Sequence, residues 1–301
     1  MSEPKPERRR RRRRTLGIGI IFILLGAVAA YIAFTEHRGS CNSTTPSASS
    51  SSSTSSNSTP ISLNRSLTNA VDYLLSGYNP HLGLIPETPG SCVYWLYSDN
   101  FLAAKALLQY GDGNSTILAI GQNISETVQR DSELTGADNQ YATSFGGGPC
   151  QIHSSGNYNV SSSDGVQIKT TLNNGTGYLN DTQYADVAFL MAICVHNQGN
   201  ATQAIREYGV GWNQFDGIGF NDLPRNGTGP YQTYKVALYV YAGDMLSQPI
   251  DETALTTLLR MQALNGGFYT GYDSSYSRAG TLTNTETTSL AILALYNYLE
   301  K

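Results

Sequence analysis

Three acidic residues lie at or next to the start of apolar helical segments in this sequence: Asp99, Asp186 and Glu286. Two carboxyl groups about 5 to 9 Å apart can cleave a glycosidic bond, one as the proton donor and the other as base or nucleophile. An acid at a helix start also stabilises the helix, by about 0.5 to 2 kcal/mol for a cap and by less through the helix dipole. The three residues are therefore candidate catalytic groups, with capping as the open alternative.

Further acidic and aromatic residues lie in or beside the loops near these helix starts. Aromatic rings offer a flat apolar face on which sugar rings can stack. The candidate binding residues are Glu87, Trp95, Tyr97, Tyr184, Asp222, Tyr231, Tyr234, Tyr272 and Asp273. They predict a carbohydrate cleft, although aromatic residues at loop ends also often close a helical core.

The histidines give no sign of a metal or cofactor site. His37, His81, His153 and His196 are scattered along the sequence, which argues against a histidine-based triad and against a multi-histidine metal site. Cys150 and His153 have the spacing of a ligand pair, but a structural zinc site needs four ligands and no second pair accompanies them. We expect no metal and no other cofactor.

The elements that would position the acids form a repeat. A helical run, a glycine turn followed by Leu or Phe, a polar loop and a second, more apolar helix occur in this order from Leu67, from Ala201 and from Leu255, with an interrupted copy between Asn114 and His196. Second helices that are apolar on nearly every face should be enclosed by the first ones. We predict eight helices in four hairpins: Leu67–Ser76, Asn100–Tyr110, Asn114–Arg130, Gln183–Val195, Ala201–Tyr208, Tyr231–Leu246, Asp251–Leu264 and Glu286–Leu299.

The interrupted copy carries an insertion over residues 131–180 that is rich in Gly, Ser and Asn. Within it, Asn159–Ser163 and Val166–Thr170 flank Asp164-Gly165, a strong short signal for a β-hairpin. We expect the insertion to cap one face of the helical array.

The hairpins resemble a known family. Gly-Gly-Phe, a polar loop and Thr/Glu-x-x-x-Leu-Ala-x-x-Ala-Leu are similar to the repeats of α/α-toroid proteins, which include terpenoid cyclases, protein prenyltransferase β-subunits and toroidal glycoside hydrolases. The resemblance implies a mainly α fold of about four hairpins, as an α/α-toroid or as a partial toroid or open arc. It also implies that the inner helices start on one face, where Asp99, Asp186 and Glu286 would meet.

The sequence departs from particular members of that superfamily. It lacks the Asp-x-Asp-Asp motif of squalene cyclases, the Asp/Cys/His zinc set of prenyltransferases and the Cys-Gly-Glu-Gln thioester motif. It also has four hairpins where a full toroid has six. The resemblance therefore implies an architecture and not one of those activities.

The N-terminal residues are typical of a membrane anchor and stalk. Residues 1–14 end in seven arginines and are expected to be a cytoplasmic basic tail, and residues 15–34 carry no charge and are long enough for a transmembrane helix that acts as a signal anchor. Residues 35–62 are Ser/Thr-rich and predict a disordered stalk. Residues 63–301 then form an extracellular domain of a single-pass protein in the cell membrane.

The glycosylation motif Asn-x-Ser/Thr occurs only after the apolar segment, which agrees with this orientation. It is found at Asn42, Asn57, Asn64, Asn114, Asn123, Asn159, Asn174, Asn180, Asn200 and Asn226. A cleaved signal peptide remains the alternative to a retained anchor, because Ala27-Val28-Ala29 resembles a cleavage site.

All four cysteines also follow the apolar segment, at Cys41, Cys92, Cys150 and Cys194. Outside a cell, disulfides are the usual role of cysteine. Cys92 and Cys150 fall in predicted loops and are the expected pair, whereas Cys194 lies in an apolar helical run and is interpreted as a small buried residue.

The distribution of charged residues along the sequence bears on the classes of binding partner. Acidic residues outnumber basic ones after Gly39, and the one dense basic run adjoins the apolar segment without interleaved aromatic residues. We therefore expect no nucleic acid partner. The expected partners are the membrane and a glycan or other surface ligand. The first hypothesis is an extracellular carbohydrate-active enzyme of the glycoside hydrolase type, and the alternative is a non-catalytic surface module that binds glycan or protein.

Overall fold

The computed structural model describes residues 62–91, 93–135, 140–146, 149–152, 158–171, 179, 182–225, 230–278 and 280–301. Within these residues the chain is mainly helical, with nine α-helices and small sheets. None of these helices combines the length and the apolar character needed to cross a membrane. The predicted tail, transmembrane segment and most of the stalk lie outside the described residues.

All eight predicted helices are confirmed, with ends that differ by a few residues, and a ninth lies in the insertion. The bounds are α1 (Leu63–Gly77), α2 (Tyr97–Tyr110), α3 (Ser115–Thr135), α4 (Gln140–Gly146), α5 (Ala185–Asn197), α6 (Ala201–Trp212), α7 (Thr233–Met245), α8 (Glu252–Arg260) and α9 (Thr285–Leu299).

Helices α2, α5, α7 and α9 are the buried ones. Their apolar residues cover most faces, and Leu290, Leu293 and Leu295 of α9 have no exposed side-chain surface. Full burial of a leucine contributes about 1.5 to 3 kcal/mol. Helix α9 packs against α2 and α7, and α7 packs against α5. The first helices α1, α6 and α8 instead bury one side, as their apolar spacing predicts.

Short strands lead directly into three of the buried helices. Strand β1 (Trp95–Leu96) precedes α2, β4 (Tyr231–Gln232) precedes α7 and β7 (Thr283–Asn284) precedes α9. Strand β4 pairs with β6 (Gly271–Tyr272), and β7 pairs with β5 (Phe268–Tyr269), both antiparallel. The shared order of strand and helix supports the equivalence of the repeats.

The predicted β-hairpin of the insertion is confirmed. Strands β2 (Tyr158–Ser163) and β3 (Val166–Thr171) are antiparallel around Asp164 and Gly165, which both have positive φ. Such a two-residue turn matches the twist of the flanking strands. Strand β3 also pairs in parallel with β1, so the hairpin lies against the start of α2.

Gly266 shows why the Gly-Gly-Phe turn needs glycine. Its φ is +90°, and an added Cβ would lie 2.1 Å from the carbonyl oxygen of Asn69 in α1. A side chain here would meet both backbone strain and a backbone clash. The turn therefore holds the last hairpin directly against α1.

The expected Cys92–Cys150 pair is wrong, because Cys150 is bonded to Cys194 with a Cα–Cα distance of 5.7 Å. Cys194 is buried in α5 as predicted, but it faces the insertion, which folds back onto that helix: α4 contacts both α5 and α2. Cys41 and Cys92 lie outside the described residues.

Candidate active site

The three acids at the helix starts accept hydrogen bonds from other side chains. Asp99 accepts from the adjacent Ser98 hydroxyl at 3.1 Å. Asp186 accepts from the Tyr234 hydroxyl at 2.7 Å, and Glu286 accepts from the Tyr141 hydroxyl. The bond of Asp99 stays within α2, whereas those of Asp186 and Glu286 reach α7 and α4. The N-cap residues of α2, α5 and α9 are Leu96, Tyr184 and Asn284, so none of the three acids is the N-cap of its own helix.

Glu87 is held beside Glu286 by two helices. The Thr285 amide at the start of α9 donates to the Glu87 carbonyl at 2.8 Å. On the other side, buried Asn100 of α2 accepts from the Ile85 amide at 2.7 Å and donates to the Ile85 carbonyl at 2.9 Å. The loop at 85–87 is therefore fixed between α2 and α9. We call Glu87, Asp99, Asp186 and Glu286 the acid cluster.

Burial and like charge change the acidity of this cluster. Burial, followed by the charge of Glu286, raises the pKa of Glu87 from 4.5 to about 7, while Lys169 opposes the rise. Burial, then Glu286 and Glu87, raises the pKa of Asp99 well above its usual value. A carboxyl group that keeps its proton near neutral pH is what general acid catalysis requires.

Asp99 lies deepest in the cluster. It is 2% exposed, and its Oδ2 atom has no hydrogen-bond partner among the described residues. Glu87 and Glu286 are partly exposed by comparison. Asp99 is therefore less exposed than Glu87 and Glu286. The sequence analysis named Asp99, Asp186 and Glu286 as candidate catalytic groups and placed Glu87 among the binding residues.

Tyr141 of α4 is a further member of the site that sequence reasoning missed. It is 1% exposed, and burial followed by the charge of Glu286 raises its pKa well above the usual value, with smaller effects from Asp99 and Asp186. The insertion holds it there, because Asn197 of α5 donates to a carbonyl of α4 at 3.1 Å and the Cys150–Cys194 disulfide lies next to it. The sequence indicated only that the insertion caps one face of the helical array, and it did not indicate the role of Tyr141.

A buried lysine holds the other side of the cluster. Lys235 Nζ lies 2.6 and 2.5 Å from the two Asp222 carboxylate oxygens and 3.3 Å from Asp186 Oδ1. Asp222 also accepts from the Ala185 amide at 3.3 Å and so fixes the start of α5. Burial, followed by the charges of Asp186, Tyr141 and Glu286, raises the pKa of Tyr234 well above its usual value. The two sides of the site therefore adjoin each other.

Three predicted binding aromatics are core residues. Trp95 is 6% exposed, and its indole donates to the Ser91 carbonyl at 3.1 Å. Tyr272 donates to the Ile218 carbonyl at 2.9 Å, and Tyr231 stacks on it with ring centroids 5.4 Å apart. The rings of these three residues face other protein atoms. They therefore close the helical core, which was the alternative to a role in sugar binding.

The remaining predicted binding residues lie around the site or away from it. Tyr184 directly precedes α5 and is partly buried. Burial, with Asp131 nearby, raises the pKa of Tyr97 to about 12. Asp273 is exposed and accepts hydrogen bonds from the Ser275 hydroxyl and from the amides of Ser277 and Ser275. These bonds lower its pKa and close a turn.

Within the described part of the chain, no group of three or more His, Cys, Asp or Glu side chains is arranged to hold a metal ion. The cations next to the cluster are lysines, Lys169 and Lys235. Comparisons of the chain with family models, with curated proteins and with solved structures gave no significant match. The function must therefore be argued from the site itself.

Proposed function

We propose that this chain is a carbohydrate-active enzyme that cleaves a glycosidic bond with the carboxyl groups of the acid cluster. The observation that carries the proposal is the pairing of Glu87 with Glu286. They come from the first and last hairpins, are partly exposed and interact through their charges, and the pKa of Glu87 is raised to about 7. Burial also raises the pKa of Glu286, and the hydrogen bond from Tyr141 opposes that rise. Glycoside hydrolysis uses one carboxyl group as the acid and a second one as base or nucleophile.

Glu87 is the proton donor in this proposal. It gives its proton to the leaving-group oxygen as the bond between that oxygen and the anomeric carbon breaks. Glu286 takes the other role, either removing a proton from the attacking water or attacking the anomeric carbon before water releases the product. The Tyr141 hydroxyl orients Glu286 through its hydrogen bond.

Asp99 and Asp186 support these two residues. Asp99 is the most buried member of the cluster, and burial followed by the charges of Glu286 and Glu87 raises its pKa, so it stays protonated beside them. Asp186 is 17% exposed, is bonded to Tyr234 and lies beside Lys235. Its fixed carboxylate is suited to accept hydrogen bonds from sugar hydroxyl groups.

The finer fold proposal is an α/α-toroid or open arc of four hairpins. It is supported by the contacts of α9 with α2 and α7, by the contact of α7 with α5 and by the position of α4 between α5 and α2. The convergence of the acids at the starts of α2, α5 and α9 is the placement that such repeats would produce.

We further propose that the domain faces the cell exterior on a membrane anchor. Five asparagines of the glycosylation motif lie in the described residues, and all are exposed: Asn64, Asn114, Asn123, Asn159 and Asn200. Surface exposure is required for glycosylation, and the Cys150–Cys194 disulfide fits an oxidising compartment.

The test is a screen of the purified full-length chain against a panel of oligosaccharides, with products identified by mass spectrometry. Glu87→Gln and Glu286→Gln should each lower turnover by about 10²-fold or more. Glu252→Gln is the matched control, because Glu252 begins α8 and is exposed. Hydrolysis that both cluster variants leave unchanged would overturn the assignment.

A second candidate is a non-catalytic surface module that binds glycan or protein. The burial of Trp95, Tyr231 and Tyr272 favours the protein-binding form of this module, because these rings are not available for sugar stacking. The same panel separates the two functions: saturable binding without any product favours the module, and product formation favours the enzyme.

A further inference from the structure

A cavity of about 700 Å³ lies between α2, α3 and α4. Phe101, Ala104, Leu108 and Val128 supply apolar lining, and hydroxyl and amide groups of α2 and α3 lie among them. No member of the acid cluster lines it. Its volume falls in the range of cavities that hold small organic molecules, about 300 to 1,000 Å³.

Lys105 gives this cavity a charge preference. It lies on α2, lines the cavity and is partly buried, and burial lowers its pKa. Its Nζ atom lies 5.3 Å from the centroid of the Phe145 ring. Among the described residues, no carboxylate oxygen lies within 4.0 Å of this Nζ, whereas Lys235 and Lys301 both pair with aspartates.

A cation that is partly removed from water is stabilised when an anion pairs with it. The Phe145 ring interacts with the ammonium group but brings no opposite charge. An apolar neutral ligand would leave that charge unmatched, and a bare inorganic anion would not fill the apolar lining. The features of the cavity together select a ligand that has both an apolar body and a negative group.

We propose that this cavity is a binding site for a small organic anion, whose carboxylate pairs with Lys105 while its apolar body lies against Phe101, Leu108 and Val128. The site is separate from the acid cluster and does not depend on the proposed hydrolytic function. Ala142, the neighbour of Tyr141, also lines the cavity, so a bound ligand would contact the helix that carries this tyrosine.

The test uses 3-phenylpropionate as the probe and 3-phenylpropanamide as its neutral match, titrated into the purified full-length chain by isothermal calorimetry. We expect saturable binding of one 3-phenylpropionate per chain and at least tenfold weaker binding of the amide. Lys105→Met keeps the aliphatic stem of the side chain. It should weaken the binding of 3-phenylpropionate at least tenfold, because a hydrogen bond to a charged group is lost.

Two further variants serve as controls. Lys105→Arg keeps the charge and should retain binding, and a urea unfolding midpoint of Lys105→Met close to that of the wild type would exclude loss of folding as the cause of its weaker binding. Arg130→Met removes an exposed positive charge from α3 outside the lining and should leave the affinity unchanged. Absence of saturable binding, or equal affinity of the wild type and Lys105→Met for 3-phenylpropionate, would overturn the proposal.

Discussion

The Tyr141 hydroxyl donates a hydrogen bond to the Glu286 carboxylate across 145 residues of sequence. Tyr141 belongs to α4, the short helix of the insertion, and Glu286 lies in the first turn of α9. A hydrogen bond to an ionised carboxylate favours the ionised form. It therefore lowers the pKa of Glu286, against the larger effect of burial, which raises it. The insertion thus influences the protonation state of a candidate catalytic residue.

Tyr141→Phe should raise the pKa of Glu286 further, because the hydroxyl that stabilises the carboxylate is removed. The cost in the free energy of unfolding should be about 1.5 to 3 kcal/mol, because a hydrogen bond to a charged group is lost. Carboxyl chemical shifts followed by NMR over a pH titration measure the first effect, and urea unfolding measures the second.

Tyr110→Phe is the control for this prediction, because the Tyr110 ring contacts Tyr296 edge-on and the substitution retains the ring. It should leave the titration of Glu286 unchanged. If Tyr141→Phe also left that titration unchanged, the hydrogen bond would have no role in setting the acidity of the cluster.

Much of the architecture follows from local patterns. The apolar spacing predicted the eight helices, and the Asp-Gly pair predicted the hairpin of β2 and β3, because both signals depend on neighbouring residues alone. The resemblance to α/α-toroid repeats implied that Asp99, Asp186 and Glu286 meet, and the charges of these residues do interact. Gly266 lies in the predicted glycine turn, where a positive φ favours glycine.

The rest depends on contacts between distant segments. Nothing in the local sequence around Tyr141 indicates that its hydroxyl meets Glu286, and the pairing of Cys150 depends on how the insertion folds back onto α5. Tertiary packing also decides whether Trp95 points into a cleft or into the core. The number of aromatic residues near the loops therefore overestimated how many of them are available to line a cleft.

Lys235→Met should lower the free energy of unfolding by about 3 to 5 kcal/mol, because it leaves the buried Asp222 carboxylate without its cation. Urea unfolding measures the change. The double variant Lys235→Met/Asp222→Leu should recover part of the loss, since the unpaired charge is gone, although the bond to the Ala185 amide is lost as well.

Arg65→Met is the matched control for the lysine variant. Arg65 is exposed on α1, so the same loss of charge should change stability by less than about 0.5 kcal/mol. An equal effect of the two substitutions would show that net charge, and not the buried ion pair, accounts for the result.

The structure and the sequence-based prediction pair Cys150 with different cysteines, and a peptide map can distinguish the two pairings. A peptide map without reduction should contain a cross-linked peptide that joins Cys150 to Cys194, and a Cys92–Cys150 peptide would contradict the structure. Replacing both Cys150 and Cys194 by Ala should cost about 2 to 4 kcal/mol of unfolding free energy. Thermal unfolding against the wild type measures this loss.

Glu87→Gln should change how stability depends on pH. The folded state holds a proton on Glu87 up to about pH 7, whereas the unfolded chain releases it near pH 4.5. The folded state therefore binds more protons between these values, and wild-type stability falls as the pH rises through this window. A pKa difference of this size corresponds to about 3 kcal/mol. Glutamine stays neutral, so the variant should gain stability relative to the wild type from about pH 4.5 to about pH 7. Urea unfolding at several pH values measures this, with Glu252→Gln as the exposed control, and a difference that does not vary with pH would contradict it.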